Sequence, residues 1–319
     1  MKTRHKAAAL AVALSTLAAA SPSAACSICR CGDTTFNALG VDVFSSGRFR
    51  VALDWDRLEK ENALAGAAAS SPRRPLDATL GTEGEVENRV TATLSYTVRD
   101  LAVVVARLPW STRTLTTDEG GGSSRESADG FSDPEVYALV RLWSSRLEPR
   151  LGRRTSVSLL AGVKTPWGEN GKTAGGERLE EHLQPGTGAT DLFTGLSTLV
   201  LVDPRSSAYA SVQYRRTGTN GLDYRYGRVT LANVGYERKL SAALDAVLEV
   251  NYRHAEMDLD AGARDPNTGG DIVYVSPRLL VDLGRGVAGR VTVQIPALRR
   301  LYGDQTERAV VNAGLTMVF

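Results

Sequence analysis

The chain's only thiols lie within six residues, in the run Cys26-Ser27-Ile28-Cys29-Arg30-Cys31. A CxxCxC arrangement brings three soft ligands close enough for a thiophilic metal such as Zn²⁺ or Cu(I). CxxC is also a redox spacing. In an oxidising compartment the same residues can instead form a disulfide, Cys26–Cys29, and leave Cys31 spare. Lipidation of Cys26, or attachment of a partner there, is a further alternative, although Ser23 suits the apolar start of a lipobox poorly. No His follows either cysteine spacing, which disfavours a covalent haem. No cofactor is expected; a metal at Cys26, Cys29 and Cys31 stays open among the alternatives, and a disulfide or structural use is favoured over it.

Other candidates are weaker. Asp265-Pro266-Asn267-Thr268-Gly269-Gly270-Asp271 places oxygen ligands at alternate positions, as a Ca²⁺ loop does, but no Glu stands at the twelfth position. Asp, Asn and Gly are also ordinary turn residues, so a solvated loop is the expectation. His182 and His254 are the histidines outside the N-terminal stretch, and neither has a Ser at a nominating spacing. No Gly-x-Ser-x-Gly motif is present, and no enzyme is expected.

The elements that carry these residues begin with a secretion signal. Lys2, Arg4 and Lys6 precede an apolar stretch, Ala7 to Ala20, too short to span a bilayer, and Ser23-Ala24-Ala25 supplies small residues for cleavage. Residues 1–25 are therefore read as a signal peptide for Sec-type export, 26–46 as a cysteine-bearing segment, and 47–319 as one domain. Cleavage removes three basic residues and no acidic ones, leaving 35 basic against 36 acidic and a net charge of −1. That excludes a basic surface for nucleic acid. No later segment has the run of about 18 apolar residues that a membrane helix needs.

The last twelve residues, RAVVNAGLTMVF, point to another way of crossing. Val311, Ala313, Leu315, Met317 and Phe319 alternate with Asn312, Gly314 and Thr316, the period-2 pattern of a strand with one apolar face. Such a terminal strand leaves no edge only if it pairs with the first strand of a closed barrel. A terminal strand ending in Phe also resembles the signal read by the barrel-assembly machinery of bacterial outer membranes.

Twelve such strands are predicted, at 47–56, 87–99, 101–111, 134–145, 154–166, 189–202, 206–217, 226–238, 243–254, 271–283, 286–297 and 308–319. Each is close to the roughly ten residues a tilted membrane strand requires. Short turns, such as Asp203-Pro204-Arg205 and Leu283-Gly284-Arg285-Gly286, alternate with long loops at 57–86, 112–133, 167–188, 218–225, 255–270 and 298–307. That asymmetry is what periplasmic turns and extracellular loops produce. The fold expected is an all-β, 12-stranded antiparallel transmembrane barrel in the outer membrane of a Gram-negative bacterium, with lipid around it.

The two faces agree. Val90, Ala92, Leu94, Tyr96 and Val98 alternate with Arg89, Thr91, Thr93, Ser95 and Thr97, and later strands follow suit. An Arg facing lipid near mid-bilayer costs about 2–4 kcal/mol, so the charged face must be the lumen. The lumen then collects Arg50, Arg89, Arg107, Arg141, Arg215, Arg253, Arg278 and Arg290, opposed by Asp54, Glu135, Glu249 and Asp282. These charges either pair across the interior or line a water-filled path for anionic or polarisable solutes, and the two are compatible. Trp55, Trp110, Trp167, Tyr214 and Tyr252 fall toward the long loops, and Tyr96, Tyr236 and Phe319 toward the short turns. Two belts of this kind match interfacial girdles; Trp143 alone falls in register with the lumen.

One stretch carries a family resemblance. Gly162-Val163-Lys164-Thr165-Pro166-Trp167-Gly168, then Leu183-Gln184-Pro185-Gly186-Thr187-Gly188, then Asp191 and Gly195 resemble outer-membrane barrels associated with the meta-pathway of phenol degradation. The resemblance covers about 35 residues closely and implies passage of small solutes, aromatic or hydrophobic compounds among them. It carries over no substrate residue, and the cysteine cluster departs from it. The expected function is a channel or transporter for small-molecule solutes, with the loops 57–86, 112–133 and 167–188 as candidate gates. The rival is a closed scaffold whose cysteines bind a metal, a redox centre or a periplasmic partner.

Overall fold

The computed structural model describes residues 49–63, 82–99, 101–119, 122–145, 154–303 and 305–319. The stretches read above as a signal peptide (1–25) and a cysteine-bearing segment (26–46), and most of the 57–86 loop, lie outside the described residues.

Twelve antiparallel strands close on themselves. They are β1 (Phe49–Ala63), β2 (Thr82–Val98), β3 (Ala102–Glu119), β4 (Glu135–Ser144), β5 (Arg154–Lys164), β6 (Asp191–Asp203), β7 (Ser206–Arg216), β8 (Val229–Lys239), β9 (Leu244–Ala255), β10 (Gly270–Gly284), β11 (Val287–Leu301) and β12 (Val310–Val318). Each pairs with its chain neighbours, and β12 pairs with β1, with Leu53 opposite Leu315 and Trp55 opposite Ala313. The terminal strand thus removes the last sheet edge, as its alternation requires.

Alternation sets which side is which. Along β1, Val51, Leu53 and Trp55 are exposed while Ala52, Asp54, Asp56, Leu58 and Lys60 are buried. Along β9, Leu248, Val250 and Tyr252 point out, and Val247, Glu249, Asn251 and Arg253 are buried. An apolar outside around a charged inside inverts the pattern of a soluble domain and is the arrangement a bilayer demands. Phe49 stacks at a tilt on Tyr96 at the short-turn end, their centroids 4.7 Å apart, and Trp110 meets Phe131 edge-on at 4.8 Å toward the long loops.

Three expectations are corrected. The 112–133 stretch is not an open loop: β3 runs on to Glu119 and pairs with a returning strand, Gly122–Phe131. β1 and β2 likewise continue to Ala63 and back from Thr82. Polar alternation persists through these stretches, so a ladder forms beyond the apolar band. Finally, Trp143 does not face the lumen. A bulge between Arg141 and Trp143 inserts an extra residue in β4, so that Trp143 pairs with outward-facing Val157 and is exposed.

Candidate functional site

The candidate site is the interior. Across β3 to β6 one register row reads Arg107, Glu135, Lys164, Asp191, alternating in sign. Arg107 Nη1 donates to Glu135 Oε2 at 3.2 Å, and Arg215 Nη1 donates to Glu135 Oε1 at 2.7 Å. Lys164 Nζ lies 2.7 Å from Asp133 Oδ2 and 3.3 Å from Asp191 Oδ2, and all three residues are buried. On the short-turn side of this row the wall is apolar: Val103, Val105, Tyr137, Leu139, Leu160 and Phe193 form one buried cluster. The Arg215 guanidinium sits 4.7 Å from the centroid of the Phe193 ring, a cation–π contact at the border of the two zones.

The wall from β8 to β2 is largely polar, interrupted toward the long loops by one buried apolar cluster of Leu58, Ile272, Tyr274 and Val310. Asp54 accepts from Arg290, and Arg278 Nη2 donates to Glu249 Oε2 at 2.9 Å. Asn312 donates to Asp56 at 2.9 Å, while Asn251 bridges Glu249 and Asn233, each at 2.8 Å. Glycines in the wall make some of these meetings possible. Gly314 of β12 is the register partner of both Asp54 and Arg290, and a side chain there would collide with both. Gly162 sits in the same way between Tyr137 and Phe193. A strand without a side chain at that point lets residues two strands apart touch over it.

Most of the sequence-derived lumen residues lie here. Arg89, Arg215, Arg253, Arg278, Arg290, Asp54, Glu135 and Glu249 are buried on the inner face. Arg50, Arg107 and Arg141 hold the inner register but are less deeply enclosed. Asp282 is a correction: it keeps the inner register, opposite Ala288, but lies at the short-turn rim, where it is exposed and accepts from the Gly284 amide at 2.8 Å. Sequence reasoning missed a further tier toward the long loops. There Lys60 pairs with Glu85 at 3.0 Å, Glu87 meets Arg89 at 3.4 Å and Arg113 at 3.5 Å, and Arg253 pairs with Glu307 at 2.6 Å. Of these residues Lys60, Glu85, Arg113 and Glu307 lay beyond the predicted strand ends, yet the alternation Asp54, Asp56, Leu58, Lys60 was there to extend β1.

The 165–190 loop caps this tier. Its short helical turn, Glu181–Leu183, is anchored by Arg113, whose Nη1 donates to the carbonyls of His182 and Gln184, both at 2.9 Å. Leu179 and Leu183 pack on Leu115 and Ala128 of the β3 hairpin. Asp133 takes the amides of Gly168 at 3.0 Å and Thr187 at 2.9 Å beside Lys164. The GVKTPWG and LQPGTG motifs are therefore the two sides of one buried knot, and a side chain at Gly168 or Gly186 would strike its backbone. Two neighbouring loops complete the cap. Tyr226 donates to the Glu181 carbonyl at 2.7 Å, and Tyr224 donates to Asp258 Oδ2 at 2.8 Å while lying 3.0 Å from His182 Nε2. Burial pushes the His182 pKa down to about 3, with Lys60 and Arg113 adding repulsion. Burial raises Asp258 to about 6, against the hydrogen bonds it receives from Gly227 and Tyr224.

The remaining candidates resolve simply. His254 sits on the outer face, its Nδ1 3.0 Å from Asp271 Oδ1. In the 265–271 stretch Asp265 and Thr268 close a turn on their own backbone, with Asp265 Oδ1 accepting from Asn267 at 2.9 Å. Cys26, Cys29 and Cys31 lie outside the described residues. Among the described residues no group of His, Cys, Asp or Glu is arranged to hold a metal, and no helix is long and apolar enough to cross a membrane.

Set beside solved structures, the chain is similar to an outer membrane channel from Pseudomonas putida F1, at 8% identity over 86% of this chain and 96% of that one, with a TM-score of 0.60. It is also similar to the translocator domain of the autotransporter NalP from Neisseria meningitidis (12% identity, 90% and 95% covered, TM-score 0.45). A TodX deltaS2S3 mutant monoaromatic hydrocarbon channel matches at 9% identity, 86% and 92% covered, TM-score 0.42. No family model and no curated protein matches the sequence. The fold is that of a closed 12-stranded outer-membrane β-barrel, the architecture of Gram-negative outer-membrane proteins. The resemblance to the phenol meta-pathway barrels is not confirmed by these comparisons.

Proposed function

We propose that the protein is an outer-membrane channel or transporter that passes small solutes along its charged interior, aromatic or hydrophobic compounds among them. The observation that carries this reading is a closed barrel whose buried face holds rows of Arg, Lys, Asp and Glu. Burying so many charges costs more than an apolar filling of the same volume would, and a merely structural barrel has no need of them. The Pseudomonas barrel that shares the fold is itself an outer membrane channel, which supports the same role.

The pairing of the described charges supports one mechanism. The interior at the level of Glu135 and Asp54 is held by ion pairs, so a solute passes by replacing one partner at a time rather than by crossing an open bore. Glu135 is shared by Arg107 and Arg215, which makes it the pivot of that row. The test is single-channel conductance of the mature protein in a planar bilayer. Small, steady conductance is expected, and Glu135→Gln, which removes the shared carboxylate, should raise the chloride-to-potassium permeability ratio several-fold. Silence from protein shown to be folded by its heat-modifiable migration would overturn the reading.

A further inference from the structure

The inner face of β7 differs from the ion-paired rows beside it. Its inward residues are Ser207, Tyr209, Ser211, Gln213 and Arg215, a hydrogen-bonding group at every second position from the short turn to the cap. Successive groups stand about 7 Å apart along the wall. Gln213 is 1% exposed, yet neither its amide oxygen nor its amide nitrogen has a partner among the described residues. The Ser207 hydroxyl, on a residue 4% exposed, is also without one.

The reason lies in the neighbours. Gln213 stands in register with Gly195 of β6 and Leu231 of β8, which offer it no polar side chain. Above it Arg215 is committed to Glu135, and below it Ser211 accepts from Asn233 at 3.1 Å. The tip of the Tyr209 ring lies against Gly235, its buried hydroxyl beside Glu249. A buried amide with both ends unmet is costly, and its persistence calls for a polar partner that comes and goes. That partner must both donate and accept, because the amide and the hydroxyl each do both. An ion would instead compete for the arginines and carboxylates of the flanking rows.

We propose, building on the channel reading above, that the inner face of β7 is a hydrogen-bonding track for uncharged solutes bearing hydroxyl or amide groups, with Gln213 as its central contact. The solute enters between the apolar cluster of β3 to β6 and the polar wall of β8 to β2, and trades hydrogen bonds from Ser207 to Gln213 as it moves.

The test uses the full mature protein in proteoliposomes. Osmotic swelling is compared for erythritol, which donates and accepts, and for glycine betaine, of similar mass but without a donor hydrogen. Erythritol should enter faster. Gln213→Met, which keeps the side-chain shape, should lower the erythritol-to-betaine ratio about fivefold, and Ser207→Ala about twofold. Val212→Ala, on the lipid face of the same strand, should leave the ratio unchanged. An unchanged ratio in the folded Gln213→Met and Ser207→Ala variants would overturn the track and leave the channel standing. If Gln213→Met does not insert, Ser207→Ala decides alone. If neither solute nor any ion crosses with folded protein, the channel reading falls and the track with it.

Discussion

The barrel interior and the cap over it are both built from buried polar groups, but by opposite means. In the barrel the cations are mostly arginines on facing or neighbouring strands, with Lys60 on Glu85 the lysine among them, and several carboxylates have more than one cation in reach. Asp54, for example, is paired with Arg290 and has Arg107 and Arg278 close by. Where the cap meets the barrel a single lysine, Lys164 at the end of β5, holds Asp133 and Asp191, and the cap itself is tied down by Arg113 on two carbonyls, by backbone amides and by titratable groups. Arginine keeps its charge at every accessible pH, whereas His and buried Asp do not. The difference separates a wall built to persist from a lid whose order depends on a few groups.

The largest expected effect comes from removing the cap's lysine. Lys164→Met leaves two buried carboxylates without their shared cation, a loss of about 3–5 kcal/mol by analogy with broken buried pairs. The cap should come undone while the barrel stays closed. Trypsin would then cut rapidly at Lys172 and Arg178 in the loop, with heat-modifiable migration retained. A cap as protease-resistant as the parent's would erase the contrast. Arg290→Gln should do less, about 1–2 kcal/mol, because Arg107 and Arg278 still face Asp54. Its signature is the reverse: a lower temperature for loss of the folded band, with cap cleavage unaltered.

The two regions also differed in how far the sequence exposed them. Alternation along β1, β2 and β9 identified the strands, their faces and most of the buried arginines, because a side-chain period of two is written directly in the chain. Which arginine meets which carboxylate was hidden. Arg290 and Asp54 are 236 positions apart and meet only because Gly314 leaves room between them. The bulge at Arg141–Trp143 shifted Trp143 outward with no local mark such as Gly or Pro. In the cap the motif around Lys164 and Thr187 stood out as turn chemistry, yet turn residues do not reveal that Asp133, in another connection, closes the knot.

Acidity offers the smallest effect and the sharpest comparison. His182 is held neutral in the cap, with a pKa near 3 against the ordinary 6.5, so the unfolded loop takes up its proton first as pH falls. Its contribution is complete above pH 6.5 and is lost progressively below that value. Asp258 has the opposite sign. Raised to about 6 from 3.8, it stays protonated longer in the folded cap, so its contribution is complete below pH 3.8 and lost as pH rises toward 6. The His182 window is the wider of the two and Asp258 offsets most of it, so the cap should lose only about 1 kcal/mol between pH 7 and pH 4. Cleavage of the loop by an acid-tolerant protease should rise modestly over that range. In Asp258→Asn the rise should steepen, since the opposing group is gone, and in His182→Phe it should reverse. The arginine-held barrel should show none of this between pH 7 and pH 5, and a parallel loss of the folded band there would mean that wall and lid share one electrostatic origin after all.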